Sequence, residues 1–551
     1  MSSRCRPNRT PRSGKVITPE EIIKTPMPAL NRRTLLKAAG SSAAAIAAVG
    51  AVAWRPERVA HAMPHTSFSD IQFDIGAFVH PAQTIAGIPV DFGVTFTYLA
   101  PAKLNRNPTK NDQAVLANAL ATIEANYSFS PSGIFTFVAY GLPYFSRLPQ
   151  SLVASHMPRL STNHNRFVLE EAVPCPTDFG QPGITKATFS VPVRIESNDV
   201  LFTLRSDSLI NITEVLAWLQ GSSILNGNFV PSPDFDGLFS FGAGRLNFVQ
   251  PGLPRQLANE LSAAGVSPFP TIATSINPAS SMWMGFVDQQ LAGSAPSAAV
   301  VTFVGTSHAR LTTAVAGDYF DNGSIMHLSH NIDDLAQFYN KDPNKFAGAE
   351  DYSERVQYMF RSKKADGTSG LPFPMDPNDG FTNGGGLGAP TGNLATQQQS
   401  AFLPDPFFGA HDYLTNYDPA TLATGVKQLR VGHEQALQRS SRAADGTPLH
   451  IRNDGPGLSS LDVPDGSTQP TLEFMAFVPT AEFFRVMRVN SASLDLVQAG
   501  QNGGTGTSVP AGVTGSAAED DGLERFITAT RRQNFLCPPR RHRSFPLLEL
   551  T

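Results

Sequence analysis

The chain has 551 residues, of which 41% are hydrophobic and 16% are charged, so it is long enough to bury a large core and to form two or more domains. The 45 glycines and 44 prolines favour many turns and irregular connections, which disfavours a helical bundle. Three cysteines are too few for a disulfide scaffold or a cysteine-rich metal site, so both are excluded.

Residues 1–62 have the pattern of a cleaved export signal. Arg32 and Arg33 precede the weakly apolar stretch AAGSSAAAIAAVGAVAW, and Ala60 and Ala62 form an A-x-A arrangement. This pattern resembles a twin-arginine signal cleaved after Ala62, with a periplasmic or extracellular destination. A single membrane anchor is the alternative, and no later segment is long and apolar enough to span a bilayer.

Removal of residues 1–62 would change the charge of the protein. The segment holds 11 Lys and Arg but only 3 Asp and Glu, so the remaining chain carries a net charge of about −12. An acidic surface repels phosphate backbones, and nucleic acid is therefore excluded as an expected partner.

The first half of the remaining chain reads as a mixture of helices and strands. NDQAVLANALATIEANY predicts a helix with Asn111 or Asp112 as its N-cap, and INITEVLAWLQG predicts a second helix that stops at Gly221. GIFTFVAYGL and VLFTLRSDS predict strands because they are rich in β-branched and aromatic residues. This order predicts an α+β domain with an antiparallel sheet.

The pattern repeats in the second half. AAVVTFVG, SIMHLSHNI and TLEFMAFVP predict strands, whereas DDLAQFYN and TAEFFRVMRVN predict helices. We therefore predict two α+β halves, at 63–275 and 276–551. Segments within 379–399 and 499–522 are predicted to be flexible loops, and the basic segment RRQNFLCPPRRHRSFPLLEL is predicted to pack on the acidic surface of its own protein.

Few catalytic motifs are present. There is no Gly-rich phosphate loop between a strand and a helix, no G-x-S-x-G and no H-E-x-x-H. His327 and His330 are three apart on a predicted strand and would face opposite ways, which disfavours a shared metal. Asp288 follows the apolar run MWMGFV, where it is either a turn former or a buried carboxylate. His433 and Arg452 are each either solvated or part of a site.

The order of these residues resembles the dye-decolourising, or DyP-type, haem peroxidase family. Gly285 to Asp288 match the family marker G-x-x-D-G, with Gln289 in place of its last glycine. His433 falls on the haem-ligating histidine of that family. Arg452, which is followed by the strand TLEFMAFVP, falls on its distal arginine. The resemblance covers most of residues 100–490.

This resemblance implies two ferredoxin-like halves with antiparallel sheets, and haem b bound between the sheet and the helices of the C-terminal half. It implies that His433 binds the iron, that Asp288 carries a proton, and that Arg452 stabilises negative charge as hydrogen peroxide is cleaved. An organic reductant would be the second substrate. His450 is the rival iron ligand, but on a strand it would point the same way as Arg452.

Several alternatives remain open at this point. The chain could be a haem-free relative that acts as an exported binding or structural protein, or a different exported enzyme such as a hydrolase. Cys175 and Cys537 could pair, and an oligomer is compatible with the sequence.

Replacing Arg32 and Arg33 together by lysine is expected to leave the precursor in the cytoplasm, because the export pathway reads the arginine pair. Cell fractionation and N-terminal sequencing measure this, with the parental protein expected outside the cytoplasm and beginning at Met63. Export of the double variant at the parental level would contradict the signal assignment.

Overall fold

The computed structural model describes residues 68–75, 93–172, 188–250, 252–276, 281–284, 297–305, 311–339, 450–484 and 526–551, together with the backbone of four short strands outside these ranges. The strands are β1 Gln83–Ile85, β2 Ile88–Val90, β3 Phe96–Leu104, β4 Phe135–Gly141, β5 Arg194–Ile195, β6 Val200–Ser206, β7 Ile224–Leu225, β8 Asn228–Phe229, β9 Phe239–Phe241, β10 Arg245–Phe248, β11 Ser324–Asp333, β12 Ser400–Asp405, β13 Gly409–His411, β14 Ile451–Arg452, β15 Gly455–Ser459, β16 Gln469–Val478 and β17 Ile527–Cys537.

The α-helices are shorter in total than the strands. They are α1 Lys110–Asn126, α2 Leu142–Ser146, α3 Gln150–His156, α4 Leu209–Leu219, α5 Leu253–Ala263, α6 Phe269–Ile272 and α7 Leu335–Phe338. Residues 481–484 begin a further helix. Short 3-10 helices occur at Ala273–Ser275, Ala298–Val301, Arg540–His542 and Leu548–Leu550. No helix in the described part of the chain combines the length and apolar character needed to cross a bilayer.

One large sheet contains two copies of the same strand arrangement. Its order is β10-β3-β6-β4-β17-β11-β16-β14, and β15 also pairs with β16. The first four strands belong to a strand-helix-strand-strand-helix-strand unit in which all neighbours are antiparallel. In the second unit, β17-β11-β16 with β14 and β15 repeat that spatial order. Both units are ferredoxin-like, which confirms the predicted α+β class with antiparallel sheets.

The two units are joined at both sides of the sheet. On one side β17 pairs with β4 through Phe535 and Leu536. On the other side β15 lies against the backbone of β10, where a Cβ on Gly457 would come within 2.8 Å of the carbonyl oxygen of Leu246. Because the two ends of the strand order meet, the sheet curls into a closed barrel with an inner and an outer face.

Alternating side chains divide the sheet into two cores. The inner core contains residues of both units, which include Leu99, Phe135, Phe137, Leu201, Met326, Leu328, Met475, Phe477 and Phe535. The outer core lies between the sheet and the helices, and in the first unit it receives the buried faces of α1 and α4. The central strands therefore bury both of their faces, which explains why the burial pattern of β4, β6 and β11 is continuous.

The structure confirms most predicted elements and corrects several. The helix at Lys110–Asn126 has Thr109 as its N-cap, and Asp112 is the N3 residue of a capping box. The prediction of Asn111 or Asp112 as the N-cap was therefore wrong. Thr109 has the extended backbone that an N-cap residue adopts, and the carboxylate of Asp112 lies three residues after it. The helix predicted to stop at Gly221 ends at Leu219, and Gly221 has a φ of +113°.

The segment AAVVTFVG is not a strand. Ala298–Val301 form a 3-10 helix whose Ala298 and Val301 side chains enter the inner core. The neighbouring strand β11 already pairs with β16 on one edge and β17 on the other, so no hydrogen-bonding edge is left for this segment there. The β-branched residues Val300 and Val301 are compatible with this 3-10 helix because it is only four residues long.

The basic C-terminal segment has two different roles. Its first part, through Cys537, is the end of β17 in the centre of the sheet, which the interpretation as a surface segment missed. Cys537 is a buried free thiol. The remainder packs on acidic surface as predicted, because Arg540 and Arg543 both bind Glu124, and Arg541 binds Asp321 at 2.5 Å.

Gly457→Ala is expected to lower the free energy of unfolding by about 1–3 kcal/mol, because overpacking a close contact costs about that much. The added Cβ would lie 2.6 Å from Oγ1 of Thr471 and 2.8 Å from the carbonyl oxygen of Leu246. Gly242→Ala is the matched control, since its nearest neighbour would be 3.5 Å away. Urea and thermal midpoints measure both, and equal midpoints would show that the barrel does not close at Gly457.

Asp112→Asn is expected to lower stability by about 1 kcal/mol at neutral pH, because the carboxylate that accepts hydrogen bonds from Arg106 is lost. Hydrogen bonds from Arg106 and Thr109 lower the pKa of Asp112 from 3.8 to about 2. A lowered pKa stabilises the fold fully above pH 3.8, and this stabilisation is lost as the pH falls towards 2. The difference between parent and variant should therefore shrink over that interval in urea titrations.

The exposed Asp234→Asn variant is the control for loss of a carboxylate that has no arginine partner within the described residues. Its midpoints should follow those of the parent at every pH. An Asp112→Asn difference that does not change between pH 4 and 2 would contradict the assigned role of Arg106.

Candidate functional site

The outer sheet faces of the two units differ in polarity. In the first unit this face is predominantly apolar, with Tyr98, Ala100, Val138, Phe202, Leu204, Leu246 and Phe248 in the core. In the second unit the same face carries His327, Ser329, Arg532, Asn534 and Arg452, of which all but Arg452 are buried. Buried polar groups cost free energy unless they are paired. The first unit has the same fold with an apolar outer face, so the fold does not require these buried polar groups. The outer face of the second unit is therefore the candidate functional site.

Strand register aligns four of the outer-face residues in one row across the sheet. Arg452 of β14 pairs with Ala476 of β16, Ala476 pairs with His327 of β11, and His327 pairs with Asn534 of β17. Directly paired residues lie on the same face of a sheet. With strands spaced by about 4.8 Å, the Cα atoms of Arg452 and His327 are about 10 Å apart. Only the methyl group of Ala476 lies between the two strands in this row.

His327 is fixed by hydrogen bonds at both ring nitrogens. Its Nδ1 lies 2.7 Å from Oδ1 of Asn534, and its Nε2 lies 2.6 Å from Oγ of Ser329. The amide of Asn534 donates through Nδ2 to the carbonyl oxygen of Glu170 at 2.9 Å, which orients Oδ1 towards the imidazole. Because Oδ1 can only accept, Nδ1 carries a proton. In the neutral ring, Nε2 then accepts the hydroxyl hydrogen of Ser329.

Aromatic and charged residues cover this part of the surface. The ring of Phe484 stacks on His327 with centroids 3.2 Å apart and planes inclined by 15°. Phe484 belongs to the helix that begins after β16, and Glu482 in the same turn accepts a hydrogen bond from Arg166 at 2.8 Å. Arg166 also donates to Glu170, and hydrogen bonds to Glu170 and then Glu482 raise the pKa of its guanidinium. His327 is therefore held between the sheet and a fixed cover.

Arg452 lies at the more open end of the row. Its side chain is 13% exposed, and its Nη1 is 3.9 Å from Oδ2 of Asp454. Leu472 and Phe474 of β16 share the outer face with Arg452 and are only partly buried. The surface therefore combines one permanent cation with partly exposed aliphatic and aromatic side chains.

The structure describes the approach to the predicted marker but not the marker itself. Trp283 donates from Nε1 to the carbonyl oxygen of Gly457 at 2.9 Å, and its own carbonyl accepts from the Tyr339 hydroxyl at 2.7 Å. Trp283 thus fixes the chain beside β15, the strand that follows Arg452. Asp288 and His433 both lie outside the described residues, so their predicted roles stay predictions.

His327 and His330 have separate partners, as expected for residues on opposite faces of a strand. His330 bonds through Nδ1 to Oε1 of Glu473 at 2.7 Å on the inner side, and both side chains are buried. On that side Arg531 binds Asp462 through two nitrogens, at 2.5 and 2.8 Å, and reaches Glu196 at 3.3 Å. Glu196 also pairs with Arg245 of β10, so this buried network connects the two units.

The described residues fit one face of a haem site in chemistry. The partly exposed Arg452, Leu472 and Phe474 suit an apolar ring with a polar centre. No group of three or more metal-binding side chains occurs in the described part of the chain. His327 and His330 already use ring nitrogens in hydrogen bonds. His450 is also buried within the described residues, so the choice of His433 rather than His450 as iron ligand stays a prediction.

Sequence reasoning missed part of this surface. Arg532 and Asn534 were assigned to a basic surface segment, although the alternation in ITATRRQNFLC is typical of a strand with one buried polar face. His327 was considered only as a metal ligand. The register that aligns it with Arg452 depends on pairing between strands that are far apart in sequence.

Two ferredoxin-like units in one closed sheet, with one polar outer surface, define a duplicated α+β barrel protein with a single candidate site in the described residues. The model of DUF7405, a family of unknown function, matches residues 95–370, half of the chain, and the chain belongs to this family. The match ends before His433 and Arg452. No curated protein matches the chain in sequence at a significant level.

The chain is also similar to solved peroxidase structures. A decolorizing peroxidase from Auricularia auricula-judae matches at 13% identity and a TM-score of 0.45, over 82% of this chain and 96% of that chain. A DyP-type peroxidase protein from Shewanella oneidensis matches at 13% and 0.41, over 82% and 94%. A DypB variant from Rhodococcus jostii RHA1, solved in complex with heme, matches at 11% and 0.38, over 85% and 97%. TM-scores under 0.5 assign neither an activity nor a cofactor to this chain.

Proposed function

We propose that this chain is an exported haem peroxidase that uses hydrogen peroxide to oxidise organic reductants. The observation that carries the proposal is the position of Arg452, a permanent cation on the one polar outer face of the duplicated barrel. The sequence resemblance independently assigns the distal arginine of a DyP-type peroxidase to this residue. Fold alone would not be sufficient, because one fold supports many activities.

Arg452 would stabilise negative charge on bound peroxide. When the O–O bond breaks, the departing oxygen gains negative charge, and a fixed cation close to it lowers the barrier. Arginine keeps its charge at any working pH. The side chain is 13% exposed, so the cation is accessible but partly shielded from water. Partial shielding strengthens its interaction with a developing charge.

Asp288 would move the proton. Peroxide must lose a proton from one oxygen and gain one on the other, and a carboxylate in an apolar setting can carry it. Support for this role comes from the marker residues Gly285 to Asp288 and from the anchoring of Trp283 beside β15. Asp288 follows Trp283 by five residues in the chain.

Haem b, when bound, would supply the redox chemistry, and His433 would hold its iron by a neutral ring nitrogen. His433 precedes Arg452 by 19 residues in the chain. Leu472 and Phe474 would contact the flat face of the ring and keep water from it. Export by the twin-arginine route belongs to this proposal and rests on Arg32 and Arg33. If no haem binds, the alternative is a haem-free relative that acts as an exported binding or structural protein.

Titration of the purified chain with haemin is expected to produce a Soret band that saturates at one haem per chain. His433→Ala is expected to abolish or shift that band, because the iron loses its axial donor. The matched control is His450→Ala, which removes a buried histidine of the same stretch and should leave the band unchanged. A band that survives His433→Ala but is lost in His450→Ala would transfer the ligand role to His450. No band in the parental chain would refute the proposed function.

Arg452→Leu is expected to bind haem normally and to react with peroxide about 10²–10³-fold more slowly, as for removal of one preorganised charge. Asp288→Asn should slow the same step by about 10²–10⁴-fold. The two effects should not add if both residues act in one step. Stopped-flow absorbance after mixing with peroxide measures the rate, and parental rates in both variants would show that this surface is not the reaction site.

A further inference from the structure

The alignment of His327 with Arg452 has no counterpart on the outer face of the first unit. The strands β3, β6 and β10 carry Tyr98, Leu204 and Leu246 in one paired row of that face. The second unit places an ionisable ring where the first has only apolar or phenolic groups. A buried imidazole with dedicated partners at both nitrogens is costly to retain without a role.

Within the described part of the chain, several packed elements contribute neighbours to His327. From β17 come Asn534 and, in the row beside Ser329, Arg532. From β14 comes Arg452, and from β16 come Ala476 and Phe474, whose ring centroid is 6.2 Å from that of His327. From the cover come Phe484 and the charged residues Glu482, Arg166 and Glu170, which are paired with one another.

The protonation state of His327 depends on opposing effects of these neighbours. Burial and the cations Arg452 and Arg532 disfavour an imidazolium. In contrast, Ser329 and Asn534 offer hydroxyl and amide oxygens that can accept hydrogen bonds from both ring nitrogens of a protonated ring. The site therefore accommodates both states without rearrangement, and only the hydroxyl hydrogen of Ser329 must turn away when Nε2 gains a proton.

We propose that His327 is a positioning residue for the surface around Arg452: by gaining a proton in acid it adds a further positive charge there and strengthens the binding of negative charge. The effect of this charge on the reaction rests on the proposed function, in which Arg452 lies beside a peroxide oxygen that becomes negative. The proton comes from solvent and is held at Nε2, and no covalent bond forms or breaks. His327 acts through the field and does not contact the substrate.

The coupling between the two residues can be measured without haem. In the full chain, the imidazole signal of His327 is identified among the 12 histidines by its absence in His327→Gln, or by its shift in Ser329→Ala if that variant does not fold. Arg452→Leu removes a cation whose Cα is about 10 Å from that of His327, and it is expected to raise the titration midpoint of His327. Arg452→Lys keeps the charge and is the matched control, with a midpoint close to that of the parent.

Two results in this experiment would overturn the proposal. One is a midpoint that is the same in Arg452→Leu, Arg452→Lys and the parent. The other is a His327 signal that does not titrate before the protein unfolds in acid. Neither result depends on haem binding, so failure here is distinguishable from failure of the proposed function.

A second experiment tests the same proposal on the haem-loaded chain. The affinity for fluoride, followed by absorbance, should increase several-fold as the pH falls through the His327 midpoint, because fluoride is an anion that would bind beside Arg452. His327→Gln should remove this increase while retaining haem. An increase that persists in His327→Gln would refute the role of His327, whereas absence of haem binding would refute only the peroxidase proposal.

Discussion

The contact between β15 and the backbone of β10 is the constraint on which the rest of this protein depends. Gly455 and Gly457 face that backbone, and the space beside them has no room for a Cβ. With β4 paired to β17 on the other side, the contact converts two open four-stranded sheets into one closed barrel. Closure buries the inner faces of both units against each other, so Leu99 of the first unit and Met475 of the second share one core.

The outer faces of the two units differ in composition. In the first unit α1 and α4 cover this face and pack on apolar side chains, which stabilises the fold. In the second unit the strands carry Arg452, His327 and Asn534 in one row. Duplication of a stable unit lets one copy maintain the barrel while the other carries buried polar groups, whose cost is offset by the shared inner core.

The charged residues follow the same division between stability and chemistry. Arg531 binds Asp462 and Glu196, and Glu196 binds Arg245, so the inner network connects the units across the sheet. Arg540, Arg541 and Arg543 fasten the C-terminal segment to acidic residues near the surface. Each of these arginines has a carboxylate partner within 4 Å. Arg452, whose Asp454 partner is 3.9 Å away, has the longest of these contacts and lies on the polar outer face.

The sequence by itself determined the elements whose signals are local. The helix that begins after Thr109, the strands VLFTLRSDS and TLEFMAFVP, and the α+β class all follow from periodicity and residue type, because neighbouring residues decide them. The candidate residues Asp288, His433 and Arg452 come from the resemblance to a known family, and their roles stay predictions. Local signals failed for AAVVTFVG, which has strand-forming residues but no free strand edge to pair with.

Only the tertiary structure decided which residues share a surface. β17 is basic and ends in a proline-rich segment, yet it lies at the centre of the sheet because β4 and β11 pair with its two edges. Arg452 follows His327 by 125 residues and precedes Asn534 by 82 residues, and no local pattern connects the three. Their common row exists because strand register is set by the burial of alternate side chains along whole strands, a constraint that acts through the folded sheet.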